Sequence, residues 1–186
     1  LDSLEAQTVV PARVLLLDNS STDGSYEKVL LPRAAANGWH THCFERNLGF
    51  AKAMNWGLAN STGEYVCLLN MDVVLAVNYL AECCSVLSGQ HEVGMVSGVI
   101  YRLVGGEKTA VVDSLGITLG RNRYYHDIGE GLELKWRDEG ITYPFGVCGC
   151  APVYSRKMLD DVSRGEPPFL EVLESYYEDT DLAWRA

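Results

Sequence analysis

The stretch that decides the fold is Arg13-Val14-Leu15-Leu16-Leu17-Asp18, an almost continuous apolar run that ends in a carboxylate. A run of this kind is typical of a strand buried on both faces of a parallel sheet, because such a strand has no side facing solvent. Residues 19–25 follow it and are mainly turn-forming and helix-capping types, so they predict a loop that leads into a helix. The chain therefore contains a strand–loop–helix unit near its start.

Strands and helices continue to alternate on both sides of this unit. The hydrophobic periodicity predicts strands at 13–18, 39–44, 64–69 and 93–101. It predicts helices at 1–10 and 26–36, after Gly49, and from about 73 to 87. Such alternation is typical of a doubly wound, mostly parallel sheet flanked by helices.

Beyond residue 104 the pattern changes to glycines, aromatic residues and short alternating stretches. These predict hairpins and loops from 105 to about 146, then a strand at 147–154 and helices at 155–162 and 178–186. A chain of 186 residues has room for one α/β domain but not for two independent ones. We therefore expect a single domain over 1–186, with 1–104 and 105–186 as its two halves.

The composition excludes several classes of function. The formal net charge is −10, from 15 basic and 25 acidic side chains, so the surface repels nucleic acid and anionic lipid. An anionic substrate stays compatible with this charge if a metal ion or a local cluster of donors receives it. The sequence has no apolar run of about 18 residues and lacks the basic flank and apolar run of a secretory signal. We therefore expect a location in the cytoplasm.

The cysteines and histidines favour structural roles. Six cysteines lie in apolar or alternating stretches without CxxC spacing, which is typical of buried, reduced thiols. The sequence His40-Thr41-His42-Cys43 suggests a metal site at first sight. Period-2 alternation, however, places the two histidines on one face of a strand and Cys43 on the other, which favours a strand whose polar residues point outward.

Polar residues follow three of the predicted strands where each one ends: Asp18-Asn19, Asn47, and Asn70-Met71-Asp72. Ligands of open α/β sheets bind outside the carboxyl ends of the strands. Asp18 and Asn19 can pair with a nucleobase edge or a ribose, or they can shape a turn and cap the next helix. Asp72 can hold a hard divalent cation together with diphosphate oxygens, or it can cap a helix that begins near Val73.

The densest acidic cluster is Glu178-Asp179-Thr180-Asp181. Repulsion among its three carboxylates raises the pKa of at least one of them and leaves a proton acceptor suited to base catalysis. The alternative is that the acids complement the dipole of a helix N-terminus, with Arg185 pairing with Asp181 at i,i+4. Both can hold together, with Asp181 structural and Asp179 chemical.

Taken in order, four segments resemble the motif set of the family 2 glycosyltransferases, and most of all their rhamnosyltransferase-like subgroup. They are Leu17-Asp18-Asn19-Ser20-Ser21-Thr22-Asp23-Gly24-Ser25, Asn47-Leu48-Gly49-Phe50-Ala51-Lys52-Ala53-Met54-Asn55, Leu68-Leu69-Asn70-Met71-Asp72, and Tyr177-Glu178-Asp179-Thr180-Asp181-Leu182-Ala183-Trp184-Arg185. Asp113-Ser114-Leu115-Gly116 and Gly149-Cys150-Ala151 also resemble the middle segment of that subgroup. The resemblance covers nearly the whole chain. It implies the GT-A α/β fold, with 1–104 as the nucleotide-sugar-binding half and 105–186 as the acceptor-side half.

The resemblance also implies which residues bind the sugar donor. Asp18 and Asn19 match the positions that hold its nucleoside, and the neighbouring Ser20 is expected to contact substrate with them. Asn47 and Asn55 match the polar pair of the adjoining loop and helix that shapes the donor pocket. Gly49, in the same loop, is expected to contact substrate as well.

The remaining implied roles concern the metal and the base. Asp72 matches the last acid of the DxD-type motif, which binds Mg²⁺ or Mn²⁺ and, through the metal, the diphosphate. Asn70 occupies the first position of that motif and is expected to contact both metal and substrate. Asp179 matches the acid of the ED motif that serves as catalytic base, and Glu178 beside it is expected to contact substrate.

The implied reaction is a single displacement that inverts the anomeric carbon of a nucleotide-diphosphate sugar. Rhamnose is the sugar that the subgroup implies, and a saccharide or lipid-linked acceptor of cell-envelope polysaccharide synthesis is the implied partner. The C-terminal helices of the family, which would lie beyond Ala186, imply peripheral association with the inner face of the cytoplasmic membrane.

Two other functions fit part of the pattern. A sugar nucleotidyltransferase also combines an α/β sheet, a metal and a nucleotide, but it normally has a glycine-rich, basic phosphate loop near its start, and this chain has none there. A non-catalytic nucleotide-sugar-binding module would be indicated by loss of the base, whereas Asp179 is present.

Overall fold

The computed structural model describes residues 1–134 and 140–186. Its α-helices are α1 (Asp2–Glu5), α2 (Leu31–Asn37), α3 (Phe50–Ala59), α4 (Tyr79–Gly89), α5 (Arg156–Ser163) and α6 (Glu178–Arg185), with a π-helical turn at Tyr26–Leu30 and a 3₁₀ turn at Glu171–Leu173. Its strands are β1 (Leu15–Asp18), β2 (His40–Cys43), β3 (Tyr65–Cys67), β4 (Met95–Val96), β5 (Ile100–Val104), β6 (Glu107–Ser114), β7 (Ile117–Leu119), β8 (Tyr125–Asp127) and β9 (Val153–Ser155). Strands and helices alternate through the first hundred residues, as the sequence predicts.

The strand pairing contains an antiparallel insertion that the sequence pattern does not predict. β1 and β2 pair in parallel, with Leu15 opposite His40 and Asp18 opposite Cys43. β9 lies between β3 and β4 and is antiparallel to both, so β3 and β4 run in the same direction on either side of it. Local periodicity identifies a strand but does not encode its direction, which explains why the α/β class was predictable and this insertion was not. The β5–β6 and β7–β8 pairs are antiparallel hairpins, which confirms the change of pattern after residue 104.

The core lies on both faces of β9. Tyr154 belongs to the main cluster, in which its ring meets that of Phe169 at 6.2 Å, with Leu159 of α5 and Leu182 of α6 equally buried. The adjacent Val153 belongs to a second cluster with the α4 residues Leu80, Cys83 and Leu87. Successive side chains of a strand point to opposite faces of the sheet. Helices therefore cover both faces of the sheet at β9, as in a layered α/β fold.

Two of the predicted helices are shorter than expected. The helix predicted at 1–10 is limited to α1, because the β-branched residues Thr8, Val9 and Val10 precede Pro11 and disfavour helix. The helix predicted from about 73 begins only at Tyr79. The preceding backbone is held by other bonds: the buried Gln7 donates to the Ala76 carbonyl oxygen, and the Thr8 N–H donates to that of Val77.

Two of the predicted strands were also wrong in extent. The strand predicted at 93–101 is divided into β4 and β5. Gly98, between them, lies against the ring of Tyr79 and donates its N–H to the Tyr79 hydroxyl rather than to a neighbouring strand. The strand predicted at 147–154 begins only at Val153, after a turn at residues 149–150. In contrast, the helix predicted at 26–36 is confirmed and ends at Gly38, which has the left-handed φ of 67° typical of a helix C-terminus.

The cysteine and histidine predictions are confirmed in part. All six cysteines are free thiols, as predicted, but only Cys83 is buried; Cys43 is exposed and the other four are half-buried. β2 is a strand, as expected for residues 40–43, yet His42 does not point outward, because its ring stacks on Trp56 with the ring centroids 3.9 Å apart. None of the helices that the structure describes has the length and apolar character needed to cross a bilayer.

Candidate active site

The loop after β1 and the loop before α3 are joined by the side chain of Asn19. Its amide nitrogen donates to the side-chain oxygen of Asn47 (3.0 Å) and to the carbonyl oxygen of Gly49 (3.2 Å). Its amide oxygen accepts the N–H of Leu48 (2.8 Å), while Asn47 accepts the N–H of Gly49 (2.8 Å). The structure thus brings Asn19, Asn47 and Gly49 into one network, at the sheet edge where the strand ends predict them.

Asp18 lies beneath this network and is only 3% exposed. Its Oδ1 accepts the N–H of Ser21 (2.9 Å) and the thiol of Cys43 (3.4 Å). Burial alone would raise the pKa of Asp18, but these hydrogen bonds outweigh burial and lower the pKa below its ordinary value. The turn-shaping alternative for Asp18 is therefore present in the structure: the bond to Ser21 closes a turn around Ser20, whose φ is 68°.

Asn55 connects α3 to the segment that precedes α6. Its amide nitrogen donates to the Phe169 carbonyl oxygen (2.8 Å), and its amide oxygen accepts the Phe169 N–H (3.1 Å). The Asn55 side chain is 8% exposed, and both ends of its amide are used in this pair. Any influence of Asn55 on donor binding therefore passes through the backbone that it holds.

Asn70, Met71 and Asp72 form a turn beyond β3. Met71 is 97% exposed, and Asp72 is exposed without a side-chain partner among the described residues. The capping alternative for Asp72 is wrong, because the next helix begins after Asn78.

The donor set of this turn fits a hard divalent cation. It offers one carboxylate and one amide oxygen, which suit Mg²⁺ or Mn²⁺ when diphosphate oxygens supply further ligands. Within 1–134 and 140–186 there is no group of three or more His, Cys, Asp or Glu side chains that could hold a metal alone. One carboxylate and one amide oxygen would leave coordination positions for the oxygens of a diphosphate.

The first turn of α6 is held by the backbone of residues 149–150. The Gly149 N–H donates to Oδ2 of Asp179 (2.9 Å), and the adjacent Cys150 carbonyl oxygen accepts the N–H of Asn70 (2.9 Å). A Cβ on Gly149 would lie 3.1 Å from Oδ2, a tight contact that would require the carboxylate to shift slightly. Two consecutive residues thus join the predicted base to the predicted metal motif.

The acids of the cluster at 178–181 differ in the contacts that their carboxylates make. Asp181 forms an ion pair with Arg185 (2.6 Å), whose guanidinium also donates to the carbonyl oxygens of Pro168 and Val162, so the predicted i,i+4 pair is confirmed. Glu178 is 8% exposed, and its Oε2 has no hydrogen-bond partner among the described residues. Burial is the main cause that raises the pKa of Glu178, and the Asp179 charge adds to it. Repulsion, the cause predicted from the sequence, is therefore the smaller contribution.

Two clefts lie beside the segment that leads into α6. The polar cleft, of about 710 Å³, lies between residues 46–49 with Lys52 and residues 173–176. Arg46 and Lys52 place two cations there, in a chain of net charge −10. The aromatic groove, of about 480 Å³, is lined by Leu119, Arg123, Leu170, Leu173, Tyr177, Thr180, Asp181 and Trp184. The two clefts share Leu173 and lie on either side of the chain that leads into α6.

The comparison with protein families decides the identification. The family described as Glycosyl transferase family 2 matches residues 1–162. The chain belongs to glycosyltransferase family 2. No protein of curated function matches the sequence.

Solved glycosyltransferase structures share the fold of this family 2 domain. GalNAc-T7 with UDP, GalNAc and Mn²⁺ superposes with a TM-score of 0.74 at 15% identity, over 98% of this chain and 36% of that chain. The mannosyltransferase PcManGT from Pyrobaculum calidifontis, in complex with GDP-Man and Mn²⁺, gives 0.61 at 19%, over 97% and 45%. TarS from S. aureus in complex with UDP gives 0.60 at 19%, over 98% and 48%. The fold is therefore GT-A, and the chain spans less than half the length of each of these structures.

The sequence pattern did not indicate the contact that residues 174–177, between the two clefts, make with α3. The Glu174 carbonyl oxygen accepts the Ala51 N–H (2.9 Å), and the Ser175 hydroxyl accepts the Phe50 N–H (3.3 Å). This segment therefore provides acceptors for the first two backbone N–H groups of α3. Glu174, Tyr176 and Tyr177 all have positive φ, which is uncommon for residues other than glycine. Because the partners are more than a hundred positions apart in sequence, no local pattern could have indicated this contact.

The burial of Glu178 has a consequence for stability against pH. A raised pKa means that folding favours the protonated acid; this stabilisation is complete below the unfolded pKa and is lost as pH rises through the folded pKa. Glu178→Gln removes the titration, so we expect its melting temperature to exceed the parent's at pH 7, by roughly 2–4 °C per kcal/mol. The difference should vanish below about pH 4. Thermal melts between pH 4 and 8 measure this, with the exposed Glu166→Gln as control; equal melting temperatures at all pH values would contradict it.

Proposed function

We propose that this chain is the catalytic core of an inverting, metal-dependent glycosyltransferase that uses a nucleotide-diphosphate sugar. The observation that carries the proposal is the contact between the Gly149 N–H and Oδ2 of Asp179, next to the bond between Cys150 and Asn70. It joins the proposed base and the proposed metal motif through two adjacent residues. Family membership and the GT-A fold support sugar transfer, and the solved relatives carry UDP or GDP-Man.

The donor nucleoside and its phosphates are proposed to occupy the sheet edge and the polar cleft. Asn47 and Gly49 are placed there by the Asn19 network, above the buried carboxylate of Asp18, and Ser20 lies in the adjoining turn. Arg46 and Lys52 supply the positive charge that an acidic protein needs in order to receive an anionic diphosphate. Two of the 15 basic residues thus line the cleft that this proposal assigns to the phosphates, beside one acid, Glu174.

The metal is proposed to bind at Asp72 and Asn70 with the diphosphate. When bound, Mg²⁺ or Mn²⁺ would neutralise charge that develops on the leaving phosphate. The exposure of Asp72 and its lack of a partner among the described residues support this role, because nothing has to be displaced before the carboxylate can coordinate. PcManGT and GalNAc-T7 were solved with Mn²⁺.

Asp179 is proposed to take the proton of the acceptor hydroxyl as that hydroxyl attacks the anomeric carbon. Attack from the face opposite the diphosphate is a single displacement, and it inverts the anomeric configuration. The bonds from Gly149 and Thr180 fix the orientation of the carboxylate, while the Asp181–Arg185 pair fixes the helix that carries it. A positioned general base of this kind accelerates a reaction by about 10²–10⁴-fold.

The acceptor is proposed to bind in the aromatic groove, within the half formed by 105–186. The groove includes Trp184 and Tyr177, which are 68% and 56% exposed, and it lies on the helix that carries Asp179. Exposed aromatic faces beside Arg123 and Asp181 suit a sugar ring, which has apolar C–H faces and polar edges. The proposed acceptor is a cell-envelope saccharide or a lipid-linked saccharide at the cytoplasmic membrane face. The proposed transferred sugar is rhamnose. The subgroup resemblance supports that choice.

Truncation of Trp184 tests the acceptor site. We expect Trp184→Ala to raise the KM for the acceptor by about 5–10-fold, because an aromatic contact contributes roughly 1 kcal/mol beyond area burial. Donor KM should stay unchanged. Tyr143→Ala is the matched control, since Tyr143 is 72% exposed and bonds Gln90, away from the groove. An unchanged acceptor KM, or an equal effect on the donor, would place the acceptor elsewhere.

Nucleotide titration tests the proposed function as a whole. Calorimetry with UDP, dTDP and GDP, each with and without Mn²⁺, should show that one nucleotide binds in a metal-dependent manner. Asp72→Ala should remove the metal-dependent part of the affinity. Asp160→Ala, an exposed acid on α5 with no partner in the described ranges, should not. Binding that ignores both Mn²⁺ and Asp72 would contradict the proposed metal site, and no binding by the folded chain would contradict the donor site.

A further inference from the structure

The aromatic groove contains one cation that no acid neutralises. Two charged side chains line the groove, Arg123 and Asp181. The carboxylate of Asp181 is paired with Arg185, so its charge is compensated within α6. The side chain of Arg123 is exposed and makes no hydrogen bond or ion pair with any residue of 1–134 or 140–186. Among these residues, the groove therefore holds one uncompensated positive charge that no step proposed above uses.

The backbone at Arg123 is of a kind that favours glycine. Residues 121–123 form the loop between β7 and β8, which is closed by a bond from the Gly120 N–H to the Tyr124 carbonyl oxygen (2.8 Å). The Arg123 N–H donates to the Gly120 carbonyl oxygen (2.9 Å), and φ of Arg123 is 63°. Three-residue hairpin loops place their last residue in this left-handed region, where a Cβ is unfavourable and glycine is preferred. An arginine at this position therefore costs the hairpin some stability.

Side-chain packing holds this hairpin against the groove. The ring of Tyr125, at the start of β8, meets the ring of Tyr177 edge-to-face with the centroids 5.1 Å apart. Tyr177 lines the groove and immediately precedes α6, which carries Asp179. Leu119 pairs with Tyr125 in the β7–β8 register and lines the groove as well. The hairpin therefore fixes Arg123 at the groove, beside the helix of the proposed base.

We propose that Arg123 selects an acceptor saccharide that carries an anionic group, a phosphate or a carboxylate, and binds that group in the aromatic groove. This inference rests on the proposed acceptor site. A guanidinium donates two parallel N–H bonds to either anion, and such charge-assisted bonds are about twice as strong as bonds between neutral groups. The apolar side chains of Leu119, Leu170 and Leu173 in the same lining strengthen these bonds, because they lower the local dielectric.

Anion binding explains both the charge and the backbone of Arg123. A chain of net charge −10 repels an anionic saccharide unless a local cation attracts it. Residues other than glycine in the left-handed region cluster at ligand-binding sites, where their function offsets the strain. Arg121 provides a matched control, because it is an exposed arginine of the same loop that has no partner among the described residues and does not line the groove.

The experiment follows the Trp184 indole N–H signal by NMR while one of three saccharides is added. They are a neutral aryl glucoside, the same glucoside phosphorylated on its primary hydroxyl, and the corresponding glucuronide. At least one anionic saccharide should bind about 10-fold more tightly than the neutral one, and the tighter of the two identifies phosphate or carboxylate as the preferred group. Arg123→Gln should reduce anionic binding to the neutral value, whereas Arg121→Gln should keep the parent's selectivity. Arg123→Gly should lose the selectivity too, with a melting temperature at or above the parent's.

The outcomes separate this inference from the proposed function. Equal affinity for neutral and anionic saccharides, no shift at Trp184 with either anionic one, or an equal loss of selectivity in Arg121→Gln would overturn the role of Arg123. A lower melting temperature of Arg123→Gly would show that the arginine serves the fold, and would overturn it as well. A chain that binds an anionic saccharide through Arg123 but neither transfers nor hydrolyses donor sugar would contradict the proposed function, and the selectivity of the groove would stand.

Discussion

Asp179→Asn is expected to lower the rate of sugar transfer by about 10²–10⁴-fold, with nucleotide binding unchanged. Asparagine keeps the size of the side chain and an oxygen that can still accept the Gly149 N–H, so the first turn of α6 should stay in place. What it loses is the capacity to accept a proton from the acceptor hydroxyl. Transfer kinetics at saturating donor measure the first effect, and calorimetric titration with the nucleotide measures the second.

The matched control is Asp160→Asn, which makes the same chemical change at an exposed position of α5. Its transfer rate should equal that of the parent chain. An Asp179→Asn chain that transfers sugar at the parent rate would rule out Asp179 as the base. A chain that loses nucleotide binding together with transfer would indicate that Asp179 acts on the donor, and the assignment of the two clefts would then have to be reversed.

Residues close in sequence explain why much of the fold was predictable. The run 13–18 contains β1 (Leu15–Asp18), although its leucines are half-buried rather than fully buried, and the polar residues after it form the predicted loop, because strand patterning and turn chemistry are local properties. The helix that follows was also correct and ends at Gly38. The errors in element boundaries occur where a contact with residues distant in sequence determines the backbone conformation. Gln7 and Thr8 donate hydrogen bonds to the carbonyl oxygens of Ala76 and Val77, and α4 begins later than the local sequence predicts.

The candidate site shows the same division. The order of polar clusters at strand ends was sufficient to predict that Asn19 and Asn47 meet, and their hydrogen bond confirms it. The contact between Gly149 and Asp179 was not predictable, because it depends on the antiparallel β9 placing residues 149–150 beside α6. The roles of Asp72 and Asp179 in chemistry remain predictions that the experiments above address.

Charge distribution reconciles the acidic composition with an anionic substrate. A net charge of −10 disfavours phosphate groups over most of the surface. Arg46 and Lys52 nevertheless line the polar cleft together with one acid, Glu174, and Lys52 also lies 3.7 Å from Glu171. The lining of the cleft therefore contains two basic residues and one acid, whereas acids outnumber basic residues in the whole chain. Two basic residues in one cleft are consistent with a donor whose phosphates bind there.

Asn55→Leu is expected to destabilise the fold by about 2–6 kcal/mol, because it leaves the N–H and the carbonyl oxygen of Phe169 buried without partners. Against a typical total of about 5–15 kcal/mol, this is a large fraction of the stability. Denaturant titration measures it. Asn60→Leu is the control: its amide bonds the Trp56 carbonyl oxygen at an exposed position, and the expected change is within about 0.5 kcal/mol.

The same substitution tests whether the two clefts depend on one structural connection. Phe169 leads into the segment that caps α3 and then into Glu178 and Asp179, so Asn55 holds the backbone of both clefts from one side. Assayed well below its unfolding midpoint, Asn55→Leu should therefore weaken nucleotide binding and transfer together, although Asn55 has no free polar group to offer a ligand. If stability falls while nucleotide binding and transfer keep their parent values, the Asn55–Phe169 pair serves only the core, and each cleft is held by contacts of its own.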